Sequence, residues 1–226
     1  GLSTRLHAVA ELVPKCEVLA DIGTDHGLLP LFLLSQGIIS RAICTDIHPS
    51  PLEKARRNFF RAGLLSYGDF RLCDGLDSIK PHEASAAVIA GMGGENIADI
   101  LSRGSFPGDE RVFILQPMTK TERLRMFLSE NGFAIEDWRL CRENGRIREC
   151  IRVKRTTLEN GLFTETDTLY LQIGRKTPET KHLYPEYIEK AKRRLKKELH
   201  GKLSAKSRDF AEIEKIQQLL ERLSEL

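Results

Sequence analysis

Apolar positions along this chain follow two alternating rhythms. From residue 17 to about 153, short apolar runs are separated by longer stretches whose apolar residues recur every three or four positions. "EVLADIG", "SRAICTDI", "DFRLCDGL", "ASAAVIAGMGG" and "RVFILQP" are the short runs and read as five strands. "LLPLFLLSQG", "SPLEKARRNFFRAGL", "ENIADILSRG" and "TKTERLRMFLSENG" lie between or after them and read as helices. Pro30 and Pro51 sit near helix starts, and Gly37, Gly63 and Gly132 near exits, which is where those residues are tolerated. "FAIEDWRLCREN" and "RIRECIRVKR" flank Asn144-Gly145, a hairpin signal that adds an antiparallel edge. The opening "LSTRLHAVAELVP" has helical spacing and no cleavage-site pattern, so it reads as a helix and not as a signal peptide. Alternation of this kind predicts an α/β fold: a mostly parallel sheet with helices on both faces.

The rhythm changes near Thr156. "TTLENGLFTETDT" is polar without a core face, which sets a boundary between residues 1–158 and 159–226. "LYLQIGR" fits one more strand or an extended crossover. Two stripes follow, Ile188, Ala191, Leu195 and Leu199, then Phe210, Ile213, Ile216, Leu220 and Leu223. With Gly201 and Ser204 interrupting between them, they predict an antiparallel, coiled-coil-like helical hairpin.

Composition narrows the class. Hydrophobic residues make up 41% of 226, enough for one sizeable core and a small second module. No apolar run approaches the roughly 20 residues that span a bilayer. The five cysteines contain no CxxC pair, so reduced thiols in a cytoplasmic protein are expected and neither a disulfide framework nor a metal site. The net charge of +3 hides a local excess: Lys181 to Leu203 holds eight basic residues against three acidic ones. That stretch alone exceeds the whole chain's charge, the footprint of a surface for phosphates. Lys190, Arg193, Arg194 and Lys197 are its candidate RNA contacts, with Arg5 and Arg57 extending the track. The bland alternative is a solvated helix face with i,i+4 pairs.

The chemistry concentrates at strand ends. In "DIGTDHG", Gly23 and Gly27 bracket Thr24-Asp25-His26, and Asp25 stands where a dinucleotide fingerprint has its middle glycine. A carboxylate there repels a pyrophosphate and suits a cationic nucleoside such as S-adenosylmethionine. Asp46, after the second strand, has the spacing of a ribose-diol acceptor. Asp74 follows the third strand and suits an adenine amino group. Gly91, Gly93 and Gly94 end the fourth and allow close backbone approach. Asp25 and then His26 are the candidate catalytic groups, with Gln116 as a clamp on a base edge. Asp25 also reads as a plain helix cap. Trp138 and Phe59-Phe60 read as core.

In order, "LADIGTDHG", "CTDIHPSPLEKA", "RLCDGL", "VIAGMGG" and "ILQP" resemble the bacterial tRNA (adenine(22)-N1)-methyltransferases, the TrmK family. The resemblance covers essentially the whole chain. It implies a class I, Rossmann-like methyltransferase sheet with a helical appendage, S-adenosyl-L-methionine as cofactor and tRNA as partner. By position it implies cofactor contacts at Asp21, Gly23, Asp46, Ile47, Asp74, Gly75, Gly91 and Met92. Leu28, often aromatic in relatives, and Met118, where a polar residue is commoner, depart from the pattern. A monomer is compatible with all of this. A methyltransferase acting on another RNA or a small molecule, and a non-catalytic RNA-binding protein that keeps the cofactor fold, remain as alternatives.

Overall fold

Side-chain period decides each element of the computed structural model, which describes residues 1–104, 110–156 and 165–226. Contacts divide the chain into two units, Gly1–Thr164 and Glu165–Leu226. The boundary expected at 158 lies outside the described residues.

In the first unit, α1 (Thr4–Leu12) is capped by Ser3, whose hydroxyl accepts the Leu6 N–H, and it buries Val9 and Leu12. The strands β1 (Cys16–Ile22), β2 (Ile39–Asp46), β3 (Gly68–Leu72), β4 (Ala86–Gly93) and β5 (Val112–Thr119) alternate with α2 (Leu28–Ser35), α3 (Pro49–Arg61), α4 (Gly94–Gly104) and α5 (Thr121–Glu130). β6 (Phe133–Glu143) and β7 (Arg146–Arg155) close the unit through Asn144 and Gly145, both at positive φ. That geometry is the mirror-image turn whose twist suits a hairpin. The seven strands stand in the order β3-β2-β1-β4-β5-β7-β6, all parallel except β7 against its two neighbours. Leu19, Val88 and Ile114 in the central strands are fully buried, with Leu12, Leu33 and Phe59 packed from the helices. Phe60, expected in the core with Phe59, is 70% exposed instead. One residue along a helix is a turn of about 100°, and it takes the ring out of the stripe.

A glycine fixes the joint between β4 and α4. A Cβ on Gly94 would overlap the Lys120 carbonyl oxygen and stand 3.0 Å from Thr119 O. Those are backbone atoms and cannot swing aside. Gly94→Ala is therefore expected to destabilise the protein by about 2 kcal/mol, an overpacking cost. A urea melt with unchanged midpoint would contradict this.

In the second unit, the stretch expected as a strand or crossover contains a short helix, α6 (Thr168–Gln172). The Asp167 carboxylate caps it by accepting the Leu169 N–H at 2.9 Å, and Leu169 and Ile173 are buried. α7 (Tyr184–Ser204) continues through Gly201, so that glycine does not interrupt the helix. α8 (Phe210–Ser224) starts where Asp209 accepts the Glu212 N–H. The two pack through Ile188, Ala191, Leu195, Ile213, Ile216, Leu219 and Leu223. Leu219 stands in the stripe beside a half-buried Leu220, and Phe210 is exposed. Residues 205–209 connect them, a link short enough to make antiparallel neighbours.

Candidate functional site

Strand order reverses at β1, which pairs with β2 on one side and β4 on the other. The registers end level: Ile22 lies opposite both Thr45 and Ile89. Outgoing loops diverge there, leaving a crevice beyond the carboxyl ends of the strands. Gly23, Asp46 and Gly91 therefore meet at one edge, although 68 positions separate the first from the last.

Asp21 is the buried acid of the crevice. It is 6% exposed, and the Thr24 hydroxyl donates to its Oδ2 at 2.6 Å. Thr24 is held in turn by its N–H to Thr45 O at 2.9 Å. Burial pushes the Asp21 carboxyl up to about 6, and the Asp46 and Asp25 carboxylates push in the same direction, while the Thr24 bond opposes them. Gly23 has φ +69, a left-handed value that suits glycine. A Cβ there would come within 2.5 Å of Met92 Cε, so the loop and Met92 form one floor. Gly91 has φ +76, and the register of β4 slips around it, which re-aims Met92.

The rim is polar and open. Asp46 Oδ1 accepts the His48 N–H at 2.9 Å, and Ile47 beside it is 58% exposed. This places an apolar face next to a carboxylate, the pair a nucleoside needs for its base and its diol. Asp25 holds φ 52, and its Oδ2 lies 3.1 Å from His26 Nδ1. The Asp25 side chain is largely in solvent and that of His26 is half-buried, while the His26 carbonyl is anchored by Asn58 Nδ2 at 2.9 Å. Asp74 is not a lone acceptor: its Oδ1 pairs with Arg103, which also bonds Asp77 and Asp99.

Three expected contacts have partners within the protein. Gln116 is fully buried. Its Oε1 accepts from Arg5 Nη1 at 2.8 Å and from the Gly91 N–H at 3.2 Å, and its Nε2 donates to Pro117 O. It clasps the bend in β4 from behind and presents no face to a base. Arg5, expected on a phosphate track, is half-buried in the same clasp, with Nε on Glu143 at 3.1 Å. Arg194 donates to Gln172 Oε1 at 2.8 Å and is tied within the second unit. Glycines 27 and 75 hold positive φ, +66 and +53, and all three of glycines 27, 75 and 93 are closely packed. A Cβ would meet Ala55 and Phe59 at 3.0 Å, Ile100 at 3.0 Å, and Thr119 Oγ1 at 3.2 Å respectively. Arg57, Lys190, Arg193 and Lys197 are exposed on α3 and α7. Thr24, the Arg103 pairs with Asp74 and Asp77, and the Arg5–Gln116 clasp carry no signal in the periodicity, because their partners lie on other elements.

A methyltransferase-domain family matches residues 2–151. The chain is 40% identical over 152 residues to the tRNA (adenine(22)-N(1))-methyltransferase of Bacillus subtilis. That match spans 66% of this chain and 63% of the relative's length. The crystal structure of the B. subtilis tRNA methyltransferase TrmK superposes with a TM-score of 0.74 at 29% identity, covering 100% of this chain and 95% of that one. A Streptococcus pneumoniae protein crystallised with S-adenosyl-L-methionine gives 0.79 at 28% identity, covering 100% and 99%. The chain thus belongs to the methyltransferase-domain family.

Proposed function

We propose that the chain transfers the methyl group of S-adenosyl-L-methionine to N1 of adenosine 22 in tRNA. The observation that carries this is the buried Asp21 carboxylate beneath a crevice rimmed by Asp25 and Asp46. Three acids at one edge, with no lysine or arginine paired to them among the described residues, suit a ligand that brings positive charge. The residues fit such a cofactor. Asp46 and Ile47 would hold its nucleoside, the backbone at Gly23 and Met92 its chain, and Asp21 its cationic end through the loop. When bound, the cofactor supplies an electrophilic methyl group on a sulfonium.

Adenine N1 keeps an in-plane lone pair, so it needs alignment and a dry site more than a base. Charge passes to the purine as the bond forms, and a carboxylate nearby stabilises it. Asp25 stands at the mouth for this role, with His26 as its hydrogen-bonded neighbour. N1 is engaged in a duplex, so the target base has to leave its pairing. The exposed cations of α7, Lys190, Arg193 and Lys197, supply sequence-independent grip on phosphates. Among the described residues no helix is long and apolar enough to cross a membrane, and no cluster of three metal-ligating side chains occurs. Work on tRNA in the cytoplasm, without a metal, is part of this proposal.

The test is direct. Incubation with labelled cofactor and unmodified tRNA transcripts, followed by nucleoside mass spectrometry and primer extension, should give 1-methyladenosine and a stop at position 22. Label in a small molecule, in another RNA, or nowhere would overturn it. Asp25→Ala should lower turnover about tenfold with little change in cofactor affinity, the loss of one partly solvated charge contact. Full activity in that variant would remove Asp25 from the chemistry.

A further inference from the structure

The sheet edge that holds the crevice is divided by charge, and the second half of it has no role in the reading above. Over β1, β2 and β3 stand Asp21, Asp25, Asp46, Asp74 and Asp77, the last two sharing Arg103 of α4, so that half stays acidic. Over β5, β7 and β6 stand Lys120, Arg123, Arg142, Arg146 and Arg148.

The register places these cations at the crevice end and not at the opposite end. β7 runs against β5 with Lys154 opposite Val112 and Ile151 opposite Leu115. Continuing that register brings Arg148 level with Met118 and Arg146 level with Lys120. The Arg148 Nη1 bond to Met118 O at 2.9 Å confirms the alignment. Arg142 lies on β6, just before the turn at Asn144-Gly145, opposite Ile147. Arg123 is in the first turn of α5, which leaves β5 at this same edge. Arg123, Arg142 and Arg146 are exposed, and Arg148 is half-buried. Of the acids on this half, Glu95 pairs with Lys120 at 2.7 Å and Glu143 with Arg5 at 3.1 Å, and Glu122 is half-buried in α5. The balance on this side stays positive.

We propose that the β6–β7 hairpin and the first turn of α5 form a docking surface for the RNA phosphate backbone, with Arg142 and Arg146 as its outermost contacts. Charge complementarity along one edge selects this occupant. The acidic half suits a cationic cofactor and repels a polyanion, so the nucleic acid is steered to the basic half. The base then enters between the two halves, over β4. This rests on the reading of the chain as a tRNA methyltransferase and assigns its sheet unit a surface separate from the basic helix α7.

The test compares three proteins by filter binding of tRNA across a salt series and by calorimetry with S-adenosylhomocysteine. They are the unchanged chain, Arg142→Glu/Arg146→Glu, and a control, Lys15→Glu/Arg41→Glu, with the same charge change at the opposite sheet edge. The hairpin variant should bind tRNA at least about tenfold more weakly at about 0.1 M salt. Its slope of log affinity against log salt should be shallower by about 0.9 for each lost phosphate contact. Cofactor-product affinity should stay unchanged. Arg142→Gln/Arg146→Gln, milder at exposed positions, should shift the same way by less. Affinity and slope equal to the control in both hairpin variants would overturn the surface alone. Failure of the unchanged chain to bind tRNA would overturn the functional reading and the surface with it.

Discussion

Asp46→Ala is expected to weaken S-adenosylhomocysteine binding about a hundredfold. A strand-end carboxylate that accepts two ribose hydroxyls makes two charge-assisted bonds, each worth about 1.5 kcal/mol or more, and 1.4 kcal/mol is tenfold. Asp46 has the right surroundings for this. Among the described residues its Oδ1 alone is engaged, by the His48 N–H at 2.9 Å, and Ile47 supplies an open apolar face beside it. The same His48 bond shapes the entry to α3, so the alanine variant loses a turn contact as well. Asp46→Asn separates the two effects. It keeps an acceptor for His48 and removes the charge, and its affinity should fall about tenfold with an unchanged melting temperature. Calorimetry on the three proteins decides. An alanine variant that binds as tightly as the unchanged chain would move the nucleoside away from β2.

The sheet was legible in the sequence because its signals are local. Apolar runs ended by Gly or Asp, helices closed by Gly, and Asn144-Gly145 between two β-rich stretches each state their own structure. Asp25 and Asp46 could be placed at strand ends for the same reason, since strand ends in an open sheet converge whatever joins them, whereas Asp21 entered only through the resemblance. What failed was non-local. Gln116 closes a strand just as Asp46 does, but its side chain turns inward to meet Arg5, which lies 111 positions away. Nothing along the chain says which way a strand-end polar group points. Phe60 was misplaced through its neighbour, since adjacent helical residues stand about 100° apart and the buried stripe of α3, Leu52, Ala55 and Phe59, does not reach it. The "LYLQ" of α6 alternates like a strand, and a five-residue helix is too short to show its own period. The cap at Asp167 was the one local sign. The basic rim on the hairpin was hidden by strand alternation, where arginines at every second position read as an ordinary solvent face.

Asp21→Asn is expected to stabilise the ligand-free protein at neutral pH while weakening its hold on the cofactor. The buried carboxyl titrates at about 6, above its ordinary 3.8, chiefly because burial disfavours its charged form. The sign follows from linkage. A raised folded value means the folded chain binds the proton more tightly than the unfolded one. The contribution to stability is full below about pH 4, fades as pH rises through about 6, and is gone above it. The difference across that window is on the order of 3 kcal/mol. Asparagine has no proton to lose, and its carbonyl can still accept from Thr24 Oγ1, which now donates at 2.6 Å. Urea melts should therefore show the variant drawing ahead of the unchanged chain between about pH 4 and pH 7, by up to about that amount. Parallel stability profiles would mean that Asp21 is not held above its ordinary range. The cofactor gives the complementary result. A cationic ligand favours ionised Asp21, so its affinity should rise with pH through about 6 in the unchanged chain and stay flat in the variant. A carboxylate that costs the empty protein stability and is relieved by a cation is explained by the ligand and not by the fold.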